Sequence, residues 1–384
     1  MKSYNQKSFS LFFSISLVVL VVNFLFLGRK GVLNLHHADY SFFDSIFVIF
    51  FSLSLILTKM IDRSVREIKI EPTFLFLLAL FFIVFLLGIP GYFYLDFQLV
   101  YLDKTLKLFS IIVFIFCIQL MSRREFVILS YVFYALGFLA FCYFLFSSGK
   151  RVGIAGAGSI TTARVFLYSL ILYIIIDTTI SKSVSYLKHV LLFCMVGSGL
   201  IATSTRATLI LYILFLIYYL IFVYKGKNKF ITYILLFFLS LYMIDFFLSS
   251  NIYYRLLVLS DDGGGESVSA RFTYIEKAIE LAGSYAYMGS GWGTYGYLSS
   301  GEVKFDYPHN LFVELLLESG WLSLLIVFFF ICISLFSLLR MKFIFVVLFL
   351  IVFLNSMISG DAYDNRMIFF TPFLLARLDL ISSQ

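Results

Sequence analysis

Residues 343–354 read FIFVVLFLIVFL, a stretch without one charged or polar side chain. Comparable apolar runs recur along the chain, and a helix of about 20 apolar residues crosses the hydrocarbon core of a bilayer. Hydrophobic residues make up 61% of the sequence and charged residues 13%, against about half and about a quarter in a soluble domain. We therefore predict an all-α, polytopic integral membrane protein with a single transmembrane domain over residues 1–384.

About twelve stretches are predicted to be membrane-spanning helices. The first, residues 9–27, is too long for the apolar part of a signal peptide and lacks a small-residue cleavage site, so we predict a span and not a leader. The predicted spans cover residues 9–27, 41–58, 74–90, 105–121, 126–147, 162–180, 188–204, 207–224, 230–249, 310–339, 343–359 and 366–380. An even number of spans puts both termini on one side of the membrane.

The positions of lysine and arginine predict which side this is. Every second connection is basic, such as the one with Lys225, Lys227 and Lys229, whereas residues 90–103 on the opposite side contain two aspartates and neither lysine nor arginine. Cytoplasmic loops are enriched in lysine and arginine, so both termini are predicted to be cytoplasmic. Because the net charge of +7 is spread over short loops and does not form one basic face, we predict no nucleic-acid partner.

One long polar segment, residues 250–308, lies on the predicted outer side. It contains Asp261-Asp262-Gly263-Gly264-Gly265, which is typical of a flexible turn, and after it apolar residues recur at helical spacing from Phe272 to Ala282. We predict a large outer loop that contains a short amphipathic helix lying on the membrane surface.

Six basic residues stand near the predicted outer ends of spans, where the positive-inside rule does not place them. Taken singly, the position of Arg206 is explained by snorkelling of its side chain to the membrane surface. The position of Arg271 is explained by ordinary solvation of a helix. An ion pair with Asp361 or Asp364 explains Arg366, and a glycine-rich turn precedes Arg164. Together, several guanidinium groups favour an anionic ligand such as a lipid-linked pyrophosphate, because arginine binds phosphate through two hydrogen bonds. The six are Lys104, Lys107, Arg164, Arg206, Arg271 and Arg366.

The most specific pattern is YPHNLFVELLLESGW, which runs from Tyr307 to Trp321. Pro308 ends the loop and predicts a helix that begins near His309, where unpaired backbone N–H groups form a natural anion site. His309 can accept or carry a proton near neutral pH, although a capping histidine is the commoner role for such a residue. This segment is therefore a candidate for both anion binding and proton transfer.

Carboxylates and glycines accompany this segment. Glu314 and Glu318 are four residues apart on one helix face, and carboxylates in an apolar run usually face a bundle interior or a cavity. Gly291, within residues 289–293, allows close approach of the backbone, which suits a substrate contact. The four cysteines all lie in apolar runs and predict no disulfide framework. No residue spacing indicates a metal site, so we predict neither a metal nor a cofactor.

The run from Pro308 to Gly320 resembles the His-Asn-x-x-Leu/Val-x-x-x-x-Glu-x-Gly signature of the O-antigen polymerase and O-antigen ligase superfamily. The resemblance covers roughly residues 200–320, and the first 150 residues match in hydropathy alone. Ser323 stands where family members often have a further glycine. Supporting matches are Thr205-Arg206-Ala207-Thr208, Ala270-Arg271 and Gly289-x-Gly291.

The resemblance implies a GT-C-like fold with a large periplasmic loop in a bacterial inner membrane. It implies glycan transfer from undecaprenyl pyrophosphate on the periplasmic side, without a nucleotide sugar or an essential metal. It assigns Arg206 and Arg271 to the donor pyrophosphate, and His309 to the acceptor hydroxyl as a base or a positioning group. Glu318 matches the family glutamate, whose role is either chemical or to orient the helix. Arg164, Arg366, Asn310 and Gly291 are further candidates for the site.

The implied partners are an undecaprenyl-pyrophosphate-linked oligosaccharide, membrane lipid, a chain-length regulator and a flippase. Within the superfamily, a polymerase joins two lipid-linked glycans and a ligase transfers a glycan to lipid A-core. The Pro-His-Asn-Leu-Phe-x-Glu run favours the polymerase. An alternative of another class is a polysaccharide flippase, which should instead carry its cations near the bilayer midplane in two related halves.

Overall fold

The structure is a computed structural model that describes residues 16, 20, 42–61, 72–90, 99–146, 159–181, 184–225, 266–285, 287–302, 306–358, 360 and 362–383. In these residues the regular structure is helical. The helices are α1 (Phe42–Ile61), α2 (Pro72–Leu87), α3 (Leu99–Gln119), α4 (Arg123–Phe146), α5 (Ser159–Ile180), α6 (Tyr186–Thr203), α7 (Arg206–Tyr218), α8 (Glu266–Tyr285), α9 (Tyr295–Ser300), α10 (Leu311–Leu339), α11 (Phe343–Ile358) and α12 (Met367–Ser382). A π-helical turn, Tyr219–Val223, extends α7.

The all-α class is confirmed, and ten of the predicted spans coincide with helices α1–α7 and α10–α12. The predicted spans 9–27 and 230–249 lie outside the described residues, apart from Ser16 and Leu20, which are helical. Among the described helices, five are long and apolar enough to cross a membrane: α4, α5, α6, α7 with its π-helical turn, and α10. Helix α2 and parts of α1 and α11 are shorter apolar helices. Twelve spans and a periplasmic loop therefore stay predictions.

The largest difference from prediction concerns α3, which begins at Leu99 and not near residue 105. Its first turns contain Asp103, Lys104 and Lys107, which in sequence are typical of a loop. All three are buried, and Lys107 Nζ lies 2.7 Å from Asp103 Oδ2 one turn away. The charges are therefore paired inside the protein, which allows the helix to extend through them.

The described helices fall into two compact units. The first contains α1–α3 and α8–α12. In it, α10 packs against α2, α8 and α11, and α12 packs against α3 and α11. Helix α8 is the helix predicted within the long loop, and it buries Ala278 and Ala282 against Tyr295 and Leu317. Its Phe272 is exposed, so an apolar side chain is available for the membrane surface proposed from the sequence.

The second unit contains α4–α7. Helices α4, α5 and α6 pack against one another, and Gly199 lets α6 approach α4, because a Cβ there would lie 2.6 Å from that of Ala140. His189 is fully buried in this unit. Its Nε2 lies 2.9 Å from Asp177 Oδ2 and its Nδ1 lies 2.8 Å from the hydroxyl of Tyr219, in the π-helical turn. We name Asp177, His189 and Tyr219 the His189 cluster.

Candidate active site at the start of α10

Helix α10 begins one residue later than the sequence suggested. Asn310 is its N-cap, and the side-chain oxygen of Asn310 accepts hydrogen bonds from the N–H groups of Phe312 at 3.0 Å and Val313 at 3.2 Å. An asparagine amide suits this role because its oxygen satisfies N–H groups that have no partner within the helix. The histidine is thus not the cap, and two of the N–H groups expected to bind an anion are occupied by Asn310.

His309 stands directly before this cap with φ at 60°, a left-handed conformation that is uncommon for any residue but glycine. Its ring centroid lies 4.4 Å from that of Tyr307 and 5.7 Å from that of Tyr274. The half-exposed imidazole is therefore held beside two aromatic rings and remains partly accessible. Backbone strain of this kind is frequent at functional sites.

Tyr274 connects His309 to the helix that carries Arg271. Tyr274 lies three residues after Arg271 on α8, and residues three apart share one helix face. The backbone oxygen of Tyr274 accepts a hydrogen bond of 3.1 Å from the Tyr295 hydroxyl. Burial, together with Asp306 and Tyr274, raises the pKa of Tyr295 above its usual value, so this hydroxyl remains a donor. Two predicted site residues, Arg271 and His309, therefore belong to neighbouring elements of the first unit.

In the first turns of α10, two glutamates share one lysine of α3. Lys104 Nζ donates to Glu314 Oε1 and, at 2.5 Å, to Glu318 Oε2. Relative exposure is 1% for the lysine side chain and 0% for both glutamates. The other carboxylate oxygen of Glu318 accepts a longer hydrogen bond, 3.5 Å, from Tyr295 N. We name Lys104, Glu314 and Glu318 the Lys104 cluster; Glu318, predicted to be catalytic or orienting, lies in this buried ion cluster.

Helix α10 is interrupted at Gly320, where φ is 82° and ψ is 175°. A break at this residue frees carbonyl groups in the preceding turn. Ser290 N donates to Leu317 O at 2.8 Å, and Gly291 N donates to Glu318 O at 2.9 Å. The N–H group of Gly291, a predicted site residue, is therefore hydrogen-bonded to α10.

The same glycine-rich segment is in close contact with α10 and α2. A Cβ on Gly289 would lie 2.4 Å from Glu318 O, and φ of Gly289 is 75°. The indole Nε1 of Trp292 donates to Phe85 O at 2.9 Å. The close backbone approach predicted for these glycines is thus present, and in the described residues it serves helix packing.

Arg366 is buried directly before α12. Its Nη1 donates to Tyr363 O at 3.1 Å, and its guanidinium carbon lies 4.7 Å from the centroid of the Tyr363 ring. Lys107 Nζ lies 5.8 Å from the same centroid. Asp361, one of the expected ion-pair partners, lies outside the described residues. The contacts of Arg366 thus include a cation–π contact and a carbonyl hydrogen bond.

The remaining predicted cations, Arg164 and Arg206, belong to the second unit. Arg206 is half-buried and is the first residue of α7, after a turn in which Ser204 has a φ of 53°. Arg164 is buried in the first turns of α5, and the glycines before it lie outside the described residues. The described residues contain no group of three or more His, Cys, Asp or Glu side chains that could hold a metal ion.

The sequence pattern did not predict the ion pairs of Lys104. It marks Lys104 as an unusual cation, and Glu314 and Glu318 as carboxylates of one helix face, but it does not indicate that they pair. The available signal was that charges are costly inside apolar helices and therefore need partners. Their separation of 210 and 214 residues gave no local indication of the pairing.

The fold and this site define an all-helical membrane protein with basic and titratable groups near the start of α10. Residues 190–328 match the family model for O-antigen ligase. This match supports the O-antigen polymerase and ligase superfamily for this chain, in agreement with the motifs, and it implies glycosyltransferase-type activity. The matched region includes Arg206, Arg271, His309 and Glu318. No curated protein and no solved structure matches the chain.

Proposed function

We propose that this protein is a polymerase of O-antigen or of a related surface polysaccharide. It acts at the periplasmic face of a bacterial inner membrane and joins two undecaprenyl-pyrophosphate-linked glycans. The observation that carries the proposal is the contact of the His309 ring with the ring of Tyr274, which lies three residues after Arg271 on α8. A base and a phosphate-binding cation on adjacent elements suit this reaction.

In the proposed step, the hydroxyl oxygen of the acceptor sugar attacks the anomeric carbon of the donor sugar. The bond from this carbon to the pyrophosphate oxygen breaks, and undecaprenyl pyrophosphate leaves with the electron pair. His309 accepts the hydroxyl proton, or positions the hydroxyl while water accepts it. Arg271 counters the charge that develops on the leaving group. Arg206 is assigned to the same pyrophosphate by the sequence resemblance.

Ligation to lipid A-core is the second candidate, because the matching family model is described as O-antigen ligase. Both reactions use the same donor chemistry and differ in the acceptor. Deleting the gene and separating lipopolysaccharide on a gel distinguishes them. Cores capped by a single repeat unit are expected for a polymerase. Uncapped cores, with polymer still present on the lipid carrier, would contradict the polymerase and favour the ligase.

A further inference from the structure

The first half of α10 is a short, separately anchored helix. It runs from Leu311 to the break at Gly320, only nine residues, so its direction is not imposed by the longer second half. At its end it is fixed by the hydrogen bonds from Ser290 and Gly291. Along its buried side it is fixed by the two carboxylates bound to Lys104. His309 and its cap precede this half-helix directly.

We propose that Lys104 is a positioning residue for glycan transfer. Through Glu314 and Glu318 it fixes the first half of α10 against α3 and thereby fixes His309. This inference rests on the function proposed above.

The charges of the Lys104 cluster make the position of this helix segment sensitive to the loss of one charged partner. One ammonium group contacts two carboxylates, and all three side chains are excluded from solvent. Removing one partner of a buried ion pair leaves an uncompensated charge, which is strongly unfavourable. Without Lys104, the two carboxylates one turn apart would repel each other and draw in water. The half-helix would then turn or shift, and a displacement of about 1 Å in a reacting group can reduce the rate about 100-fold.

Lys107 provides a matched comparison on the same helix. It is buried to the same extent as Lys104, but its ion-pair partner, Asp103, lies on α3 itself. The single variant Lys107→Met therefore removes the ammonium group from an ion pair whose two members both belong to α3. Its effect on thermal stability calibrates the cost of losing a buried pair.

The experiment measures transfer by the full-length protein in lipid nanodiscs, with an undecaprenyl-pyrophosphate-linked oligosaccharide as the probe. For Lys104→Met we expect kcat to fall about 100-fold, while KM for the donor changes less than about threefold. For Lys107→Met, which likewise removes one partner of a buried ion pair, we expect a comparable decrease in thermal midpoint and a decrease in kcat of less than about fivefold. Equal losses of kcat in the two variants would overturn the positioning role.

A charge-balanced variant tests whether neutralisation alone explains the effect. In Lys104→Met/Glu314→Gln/Glu318→Gln no charge of the cluster remains, so we expect the thermal midpoint to recover. We expect kcat to stay low, because the bridge to α3 is absent. Full recovery of kcat would mean that Lys104 only compensates charge, and would overturn the inference.

The outcome for the proposed function can be read separately. If the wild-type protein forms no polymer, or His309→Ala forms it at the wild-type rate, the proposed function fails, and with it the positioning role in that reaction. If the wild-type protein is active, His309→Ala is inactive and Lys104→Met retains the wild-type kcat, the inference about Lys104 alone fails.

Discussion

The Lys104 cluster of the first unit and the His189 cluster of the second are both buried polar networks, but they connect different parts of the chain. Lys104 joins α3 to residues more than 200 positions away in α10. His189 joins residues 12 and 30 positions away, in adjacent helices. The first cluster includes two residues of the helix that follows the predicted reactive histidine. The second lies near the start of α6, about 20 Å along the helix from the turn that precedes Arg206.

This difference indicates that the buried polar clusters have different roles in the two units. The Lys104 cluster consists of full charges whose removal leaves a buried ion, so it fixes a broken helix in one place. The His189 cluster contains one carboxylate, and it joins α5, α6 and the π-helical turn that extends α7. We therefore expect variants near the first cluster to affect transfer, and variants in the second to affect mainly stability.

The largest expected effect contrasts the two histidines. His309→Ala should reduce glycan transfer about 1000-fold, because a positioned acid–base group contributes about 10²–10⁴ to a rate. His189→Ala serves as the matched control, and transfer per amount of folded protein should remain within about threefold of wild type. Polymer length on a lipopolysaccharide gel and transfer rate in nanodiscs provide the measurements. Wild-type polymer from His309→Ala would remove the basis for the catalytic assignment.

A second, smaller effect is expected at Arg271. Arg271→Lys keeps the charge but loses the planar pair of donors that matches a phosphate, so we expect kcat/KM for the donor to fall about 10-fold, and about 100-fold for Arg271→Ala. Lys277→Ala on the same helix is the control, since its side chain is exposed. Equal values for Arg271→Ala and Lys277→Ala would exclude a direct contact with the pyrophosphate.

How much of this arrangement is visible in the sequence depends on whether the signal is local. Most helices could be predicted because an apolar run indicates a helix from the local sequence alone. The spacing of His309, Glu314 and Glu318 identified the segment around the site. Helix α3 was predicted to begin too late, because the charge of Lys104 resembles that of a loop unless its partners in α10 are known. The N-cap role of Asn310 could have been predicted from the local sequence, because asparagine is preferred at that position.

The glycine at the contact between the loop and α10 provides a test of stability. Gly289→Ala should lower the free energy of unfolding by about 3 kcal/mol, since it adds about 1–3 kcal/mol of backbone strain to a similar cost of overpacking. Gly301→Ala separates the two terms, because Gly301 has nearly the same φ, 73°, but no atom within 4 Å of an added Cβ. Thermal unfolding in detergent compares them. Equal losses would show that strain alone matters at Gly289.

The smallest expected effect lies in the His189 cluster. Tyr219→Phe removes the hydroxyl that lies 2.8 Å from His189 Nδ1 and should lower the free energy of unfolding by about 1 kcal/mol. Tyr212→Phe is the matched control, since it removes a single hydrogen bond to Phe193 O from the same helix. Both variants should keep wild-type transfer rates in nanodiscs. A loss of transfer in Tyr219→Phe, but not in Tyr212→Phe, would mean that the His189 cluster is coupled to the reaction, and the functional separation of the two clusters would then be wrong.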